Sequence, residues 1–444
     1  MNVVNKFLGL KKNNRNAYFF FAVMCVFLVM FFIGCIISTC AYGKQFFVNE
    51  NVFWLDGGDW FMDFFNVNGF VKNMDPYIAE KSSYPPLVLL IAKLFSLCAD
   101  YSVSSRAARV SVGGIISLLF FLVIFFVVSL ILLRKICKKH GVSIWATLAV
   151  FAGFFVSAPI FFSVNRSNYL LFALMFSAIF LVYYKDERRW VRELSYVALA
   201  VAAGIKLYPA AFALVLLRDK RFLDFGKVAL YSICLVIFPF FAFKGGFVAN
   251  TKEFFKNLFS WTVSSKIYAN NFSNAYSADI SVKNQFVMLC TRLTGTEPWN
   301  LSRGVHNTGL SFSVLITVAM VAVSLVSKSG WRRLSAMGLI ITLFPSVSSY
   351  YSVTFMLIPF TVFLVDEKAD KNKIAYWIFY IILLCPVSFG FFIKQWTCGI
   401  IFGYTLMHWL QGISMIAMSM MLFVEMLIGF IKVRKCKTSE CTEV

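Results

Sequence analysis

Apolar runs of 17 or more residues recur along the whole of this 444-residue chain, each long enough to cross a hydrocarbon layer about 30 Å thick. A segment crossing lipid must satisfy every backbone N–H and C=O internally, and runs of this length read as helices. A mean hydropathy of +0.76, with 18% aromatic and 14% charged residues, lies far outside soluble domains. The expected fold class is therefore all-α and integral to the membrane. No stretch outside the apolar runs is long enough for a separate domain, so residues 1–444 read as one polytopic unit. The first run, Ala17 to Cys40, exceeds a signal-peptide core and lacks a small-x-small cleavage site, so it reads as a retained span.

A net charge of +21 would suit a nucleic-acid partner, but its placement argues for membrane lipids instead. The cations fall in short blocks between apolar runs, among them Lys6/Lys11/Lys12/Arg15, Arg134/Lys135/Lys138/Lys139, Lys185/Arg188/Arg189/Arg192, Arg218/Lys220/Arg221 and Lys432/Arg434/Lys435/Lys437. That is the positive-inside pattern of a multi-pass plasma-membrane protein with both termini cytoplasmic, tails 1–17 and 432–444. The eleven cysteines have no metal-ligand spacing, and no partner for Cys98, Cys290 or Cys398 can be read.

Threading the chain under this rule gives about ten full spans: 18–40, 110–133, 144–164, 169–184, 226–243, 310–327, 334–349, 350–365, 374–393 and 403–431. Two large outer loops, 41–109 and 244–309, face the other side. The run 194–217 has basic clusters at both ends and is broken by Gly204-Ile205-Lys206-Leu207-Tyr208-Pro209. One crossing would place a basic cluster outside, whereas a re-entrant helical hairpin turning at Lys206 keeps both inside. Pro85 to Ala99 is too short to span and reads as an interfacial or re-entrant helix over the outer face.

The first outer loop carries Asp56, Asp59, Asp63, Asp75 and Glu80 before a Tyr84-Pro85-Pro86 turn. Asp59 and Asp63 share one face if their segment is helical, and carboxylates one turn apart repel, which favours proton uptake by one of them. That suits a general base; the same residues also fit a solvated or helix-capping loop. Lys206, at a broken helix, calls for an anionic partner such as a phosphate, or else a loop aspartate or a snorkelling position. Arg166 in the turn Asn165-Arg166-Ser167-Asn168 is a second phosphate candidate or an interfacial arginine, and Asn165 and Asn168 fit helix caps. There is no HExxH, P-loop or dinucleotide fingerprint.

An Asp-rich first outer loop, then Tyr84-Pro85-Pro86-Leu87, an Asn-containing turn and a Gly-x-Lys-x-x-Pro break resemble the GT-C superfamily of polyprenol-phosphate-sugar-dependent glycosyltransferases. Within it the pattern is most similar to the family of the α-mannosyltransferase of phosphatidylinositol mannoside synthesis, from about Asp59 to Arg221. The resemblance implies a catalytic Asp, matched by Asp63 with Asp59 as the alternative. It also implies a substrate and phosphate site that draws on Lys206, Arg166, Asn165, Asn168, Tyr84 and Tyr208. Tyr350 and Tyr351 would line the sugar pocket, in a segment that lacks the histidine many members carry. The implied reaction is inverting transfer of a mannose-like hexose from a polyprenyl-phosphate donor to a lipid or cell-envelope glycan acceptor on the outer face. No cofactor is implied, and since members differ in metal use, no metal is assigned.

Two other classes share multiple spans and large outer loops. A transporter or flippase of lipid-linked saccharides would show repeated halves, which are not evident here. A polysaccharide polymerase or ligase would favour arginine over aspartate in the first loop.

Overall fold

The computed structural model describes residues 11–42, 60–263, 279–296, 298–344, 348, 350–366, 372–387 and 406–440. These residues form helices, with no strand among them. The first apolar run becomes α1 (Lys12–Tyr42). Residues 60–111 carry α2 (Met62–Phe70), α3 (Pro86–Ser96) and α4 (Ser105–Val110), and α5 (Val112–Lys139) follows. Next come α6 (Ile144–Val156), α7 (Ala158–Arg166), α8 (Leu170–Tyr183) and α9 (Arg189–Ile205). A 3₁₀ segment, Tyr208–Ala213, leads into α10 (Leu214–Arg218), α11 (Phe222–Ile237) and, after a second 3₁₀ turn, α12 (Gly246–Val263). The remainder is α13 (Val282–Thr294), α14 (Arg303–Val326), α15 (Gly330–Leu343), a 3₁₀ segment Tyr350–Met356, α16 (Leu357–Val365), α17 (Lys373–Leu384) and α18 (Leu406–Glu440).

Among the described residues, five helices are long and apolar enough to span: Lys12–Gly34, Val112–Lys139, Phe222–Ala242, Arg303–Val326 and Trp409–Ile431. The expected span 144–164 is instead a bent pair, α6 and α7, meeting at 62°, which would make a sixth. The break follows from Ser157-Ala158-Pro159. Pro159 has no N–H to continue α6, and the Ser157 hydroxyl donates to the Phe154 carbonyl at 2.6 Å. Shorter apolar helices hold the positions expected for spans 169–184, 350–365 and 374–393. Of these, α8 is buried through Leu170, Phe172, Leu174, Met175 and Phe180, as befits a helix apolar all round at the centre of a bundle. The last helix runs on to Glu440, into the stretch expected as a polar tail.

The segment broken at Lys206 leaves and returns to one place. At its start, the Tyr184 carbonyl accepts from Arg221 Nη1, and the Tyr196 hydroxyl pairs with Arg221 Nη2. Lys185 reaches Asp219 at 2.7 Å, and Arg333 of α15 approaches the same carboxylate at 3.7 Å. Arg221 and Asp219 lie just beyond α10, so the two ends of the 189–218 stretch meet while Lys206 lies at the far turn. There Gly204 is packed so closely by Leu87 that a Cβ would sit 2.5 Å from the leucine Cδ2. The expected re-entrant helix Pro85 to Ala99 is thus packed down, with Val88, Leu89 and Ala92 of α3 buried.

This arrangement predicts that Lys220, beside the meeting point, and Ser302, before α14, face opposite sides. Single cysteines at these exposed positions in a cysteine-depleted background should label from opposite faces of sealed vesicles. Equal labelling of both by an impermeant reagent would overturn the arrangement.

Candidate active site

Helix α2 starts behind Phe61, which sits in the left-handed region at φ 59°. A phenylalanine holds that conformation only where its surroundings fix it. Here the Phe61 N–H donates to the Asn165 carbonyl at 2.6 Å, and Arg109 Nη1 donates to the Trp60 carbonyl at 3.0 Å. Asp63, in the first turn of α2 and 8% exposed, is thereby pressed against the junction of α7 and α8.

That junction is a reversal. Arg166 ends α7, Ser167 is left-handed at φ 48°, and Asn168 leads into α8. Arg166 Nε and Nη2 donate to Asp63 Oδ1 at 3.0 and 2.6 Å. Asn168 Nδ2 donates to Asp63 Oδ2 at 2.8 Å, while Asn168 Oδ1 accepts the Leu170 N–H at 2.9 Å. A carboxylate offers about four acceptor positions; among the described residues three are filled, and the open one is on Oδ2. Asn165 contributes its backbone carbonyl, and its buried side-chain oxygen has no hydrogen-bond donor among the described residues.

The other side of α2 is fixed by groups that sequence reading did not single out. Buried Asn68 donates to the Tyr101 hydroxyl at 3.1 Å and accepts from the Tyr169 hydroxyl at 2.6 Å. The Tyr169 ring stacks on Phe64, with centroids 5.8 Å apart. The available signal was the pair Asn66 and Asn68 in the run Phe64–Phe70: Asn66 is exposed, but Asn68 falls on the buried face, where a polar side chain needs partners.

Lys206 follows α9 in extended backbone, at φ −145° and ψ 132°. Its ammonium lies 4.9 Å from the centre of the Tyr84 ring, and no anionic partner is seen among the described residues. Burial pushes the Tyr84 hydroxyl well above its usual range; Asp63 and Tyr351 add to the rise and Arg166 opposes it. Tyr84 is therefore in electrostatic reach of all three. Tyr208 is in the same reach of Tyr84 and Tyr351, its ring edge-on to Phe355 at 5.8 Å. Asp63, Arg166, Asn168, Lys206, Tyr84, Tyr208 and Tyr351 thus gather at one end of the bundle. Tyr350 turns into the bundle instead: it is fully buried, edge-on to Phe162, and its hydroxyl accepts from Gln411 at 2.8 Å. Asp59 lies outside the described residues, as do Asp56 and Pro345–Val347. Among the described residues no group of three or more His, Cys, Asp or Glu could hold a metal ion.

Residues 83–349 match the family model described as glycosyltransferase family 87. The chain belongs to that family. It is a membrane glycosyltransferase, an enzyme that takes a sugar donor and an acceptor. No curated protein matches the chain. The matched stretch of the transferase holds Tyr84, Asn165, Arg166, Asn168, Lys206 and Tyr208, begins after Asp63 and ends before Tyr350. It reaches the transferase class and stops short of the phosphatidylinositol mannoside enzyme that the motifs resemble.

A second carboxylate of the transferase, Asp279, ties the chain before α13 to Ser348, ahead of the Tyr350 3₁₀ turn. Its Oδ1 accepts the Ser281 and Ser348 N–H groups, each at 2.9 Å, and the Ile280 N–H donates to the Ser348 carbonyl. Burial outweighs these donors and pushes the Asp279 carboxyl up to about 6. Its native proton affinity therefore exceeds that of the unfolded chain, so its contribution to stability is full below about pH 4 and is lost as pH rises through about 6. Asp279→Asn should remove that dependence. Between pH 4.5 and 7.5 the melting temperature of the wild type should fall relative to the variant, a differential of about 2–3 kcal/mol for a shift of two pH units. Parallel melting curves would show that Asp279 does not titrate in this range.

Proposed function

We propose that this enzyme transfers a mannose-like hexose from a polyprenyl-phosphate donor to a hydroxyl of a lipid or cell-envelope glycan, with Asp63 as general base. The observation that carries the reading is the Asp63 carboxylate, oriented by Arg166 and Asn168, opening on the same end of the bundle as Lys206. The acceptor O–H gives its proton to Asp63 Oδ2, at the position left open there. Its oxygen forms the bond to the anomeric carbon while the bond from that carbon to the phosphate oxygen breaks, and the electron pair leaves on the polyprenyl phosphate. A single displacement inverts the anomeric centre. Lys206 meets the growing phosphate charge, and Tyr84 and Tyr208 offer ring faces and hydroxyls to the sugar.

Radiolabelled transfer from polyprenyl-phosphate-mannose in membranes, with and without the protein, tests the activity. Asp63→Asn should lower turnover by about 10²–10⁴-fold, the usual effect of removing a positioned base. That variant sets one amide N–H₂ against another at Asn168, so the exchange Asp63→Asn with Asn168→Asp supplies the control. It restores a donor–acceptor pair and the net charge, and should recover stability without recovering turnover. Wild-type transfer by Asp63→Asn, with transfer abolished in Asp59→Asn, would move the base to Asp59.

Lys206→Ala should raise the KM for the donor by about tenfold or more, and Lys206→Arg should restore most of it, because a cation rather than an amine is needed. Unchanged KM in both variants would leave Lys206 a packing partner of Tyr84.

A further inference from the structure

A cavity of about 470 Å³ lies between α5, α6, α8 and α16, within the range of ligand pockets, about 300–1,000 Å³. Its walls are hydrocarbon and aromatic: Phe126, Phe155, Leu174, Ala178, Leu181 and Val362. Polar groups gather at one rim, where Lys135, Lys139 and His140 close the last turns of α5. Lys135 lies 3.5 Å above the Tyr183 ring, and Lys135 and Lys139 are exposed. The nearby carboxylate, Asp186, is already paired with Arg188. At the opposite end of α5, Gly114 packs against Phe65 of α2, two residues from Asp63. From Gly114 to Lys139 a helix rises about 38 Å, so rim and carboxylate stand at opposite faces of the bundle. From Phe125 to Lys139 the rise is about 21 Å, enough to cross one leaflet of a bilayer whose core is about 30 Å thick.

We propose that this cavity is a binding site for an anionic phospholipid, its acyl chain inserted among the phenylalanines and its phosphate on Lys135 and Lys139. Hydrocarbon walls select a chain, and a cationic rim at the headgroup level selects the charge. A polyprenyl phosphate seated here would carry its phosphate at the face away from Asp63, so the site is distinct from that of the proposed donor. The lipid fills the gap between α5 and α8, where the walls would otherwise lack packing partners.

Native mass spectrometry of the full-length, delipidated protein with added phosphatidylglycerol or phosphatidylcholine tests this. Phosphatidylglycerol should bind preferentially. Lys135→Gln with Lys139→Gln should weaken it by about 30-fold, near 1 kcal/mol for each lysine. Ala178→Phe, which fills the cavity, should abolish the tight site while a melting curve confirms folding. A tenfold excess of decaprenyl phosphate should not displace the lipid. Equal affinity for the two phospholipids, unchanged affinity in the lysine double variant, or displacement by decaprenyl phosphate would each overturn the assignment.

Discussion

The site depends on one ion pair, its carboxylate buried and its guanidinium half-buried. Asp63 and Arg166 come from segments 103 residues apart in sequence, and their contact joins α2 to the break between α7 and α8. The desolvation of two such charges roughly cancels their attraction, so a pair of this kind adds little against apolar residues of equal volume. Where both charges are fully buried, removing one partner typically costs about 3–5 kcal/mol, and the half-buried guanidinium lowers that figure here. An apolar pair would serve the bundle as well, so stability alone does not account for the carboxylate. What the pair supplies is a carboxylate of fixed direction. Asn168 adds to this by serving two elements at once, donating to Asp63 and accepting the Leu170 N–H where α8 begins.

The second constraint is electrostatic and lies at the far end. Asp219 is held by Lys185 and Arg333, and Glu425 by Arg332, Asn372 and the Tyr376 hydroxyl. These clusters tie α8, α10, α15, α17 and α18 together where the basic blocks concentrate. The hairpin that turns at Lys206 is anchored there at both ends, and its tip is thereby carried to the carboxylate.

Much of this was legible in the sequence because it depends on gross solvation. Apolar run length predicts helices, and flanking cations predict which ends share a face. The break at Gly204–Pro209 was legible because proline and glycine act locally. The same chemistry at Ser157-Ala158-Pro159 was passed over within a run apolar enough to pass for one span, and there the helix bends by 62°. Run length also could not separate a spanning helix from a short one buried on all sides, such as α8. At the site, Asp63, Arg166 and Asn168 could be named as candidates, but sequence reading directed Arg166 and Asn168 to substrate and phosphate, or to the lipid interface and a helix cap, and not to Asp63. That Arg166 and Asn168 converge on Asp63 depends on two left-handed residues, Phe61 and Ser167, neither of which is a glycine that would announce the turn.

The pairing also sorts the cations by what they can still do in the proposed transfer. A cation already neutralised stabilises a developing phosphate charge only by giving up its partner, whereas an unpaired one contributes in full as the charge grows. Lys72 is spent on Glu80 and Lys256 on Glu253. Lys206 rests on the Tyr84 ring, an attraction of about 0.5–2 kcal/mol that a phosphate readily exceeds. Arg166 stands between these cases. Each hydrogen bond it gave a donor phosphate would be one withdrawn from Asp63 Oδ1, so Arg166 serves the carboxylate before any phosphate.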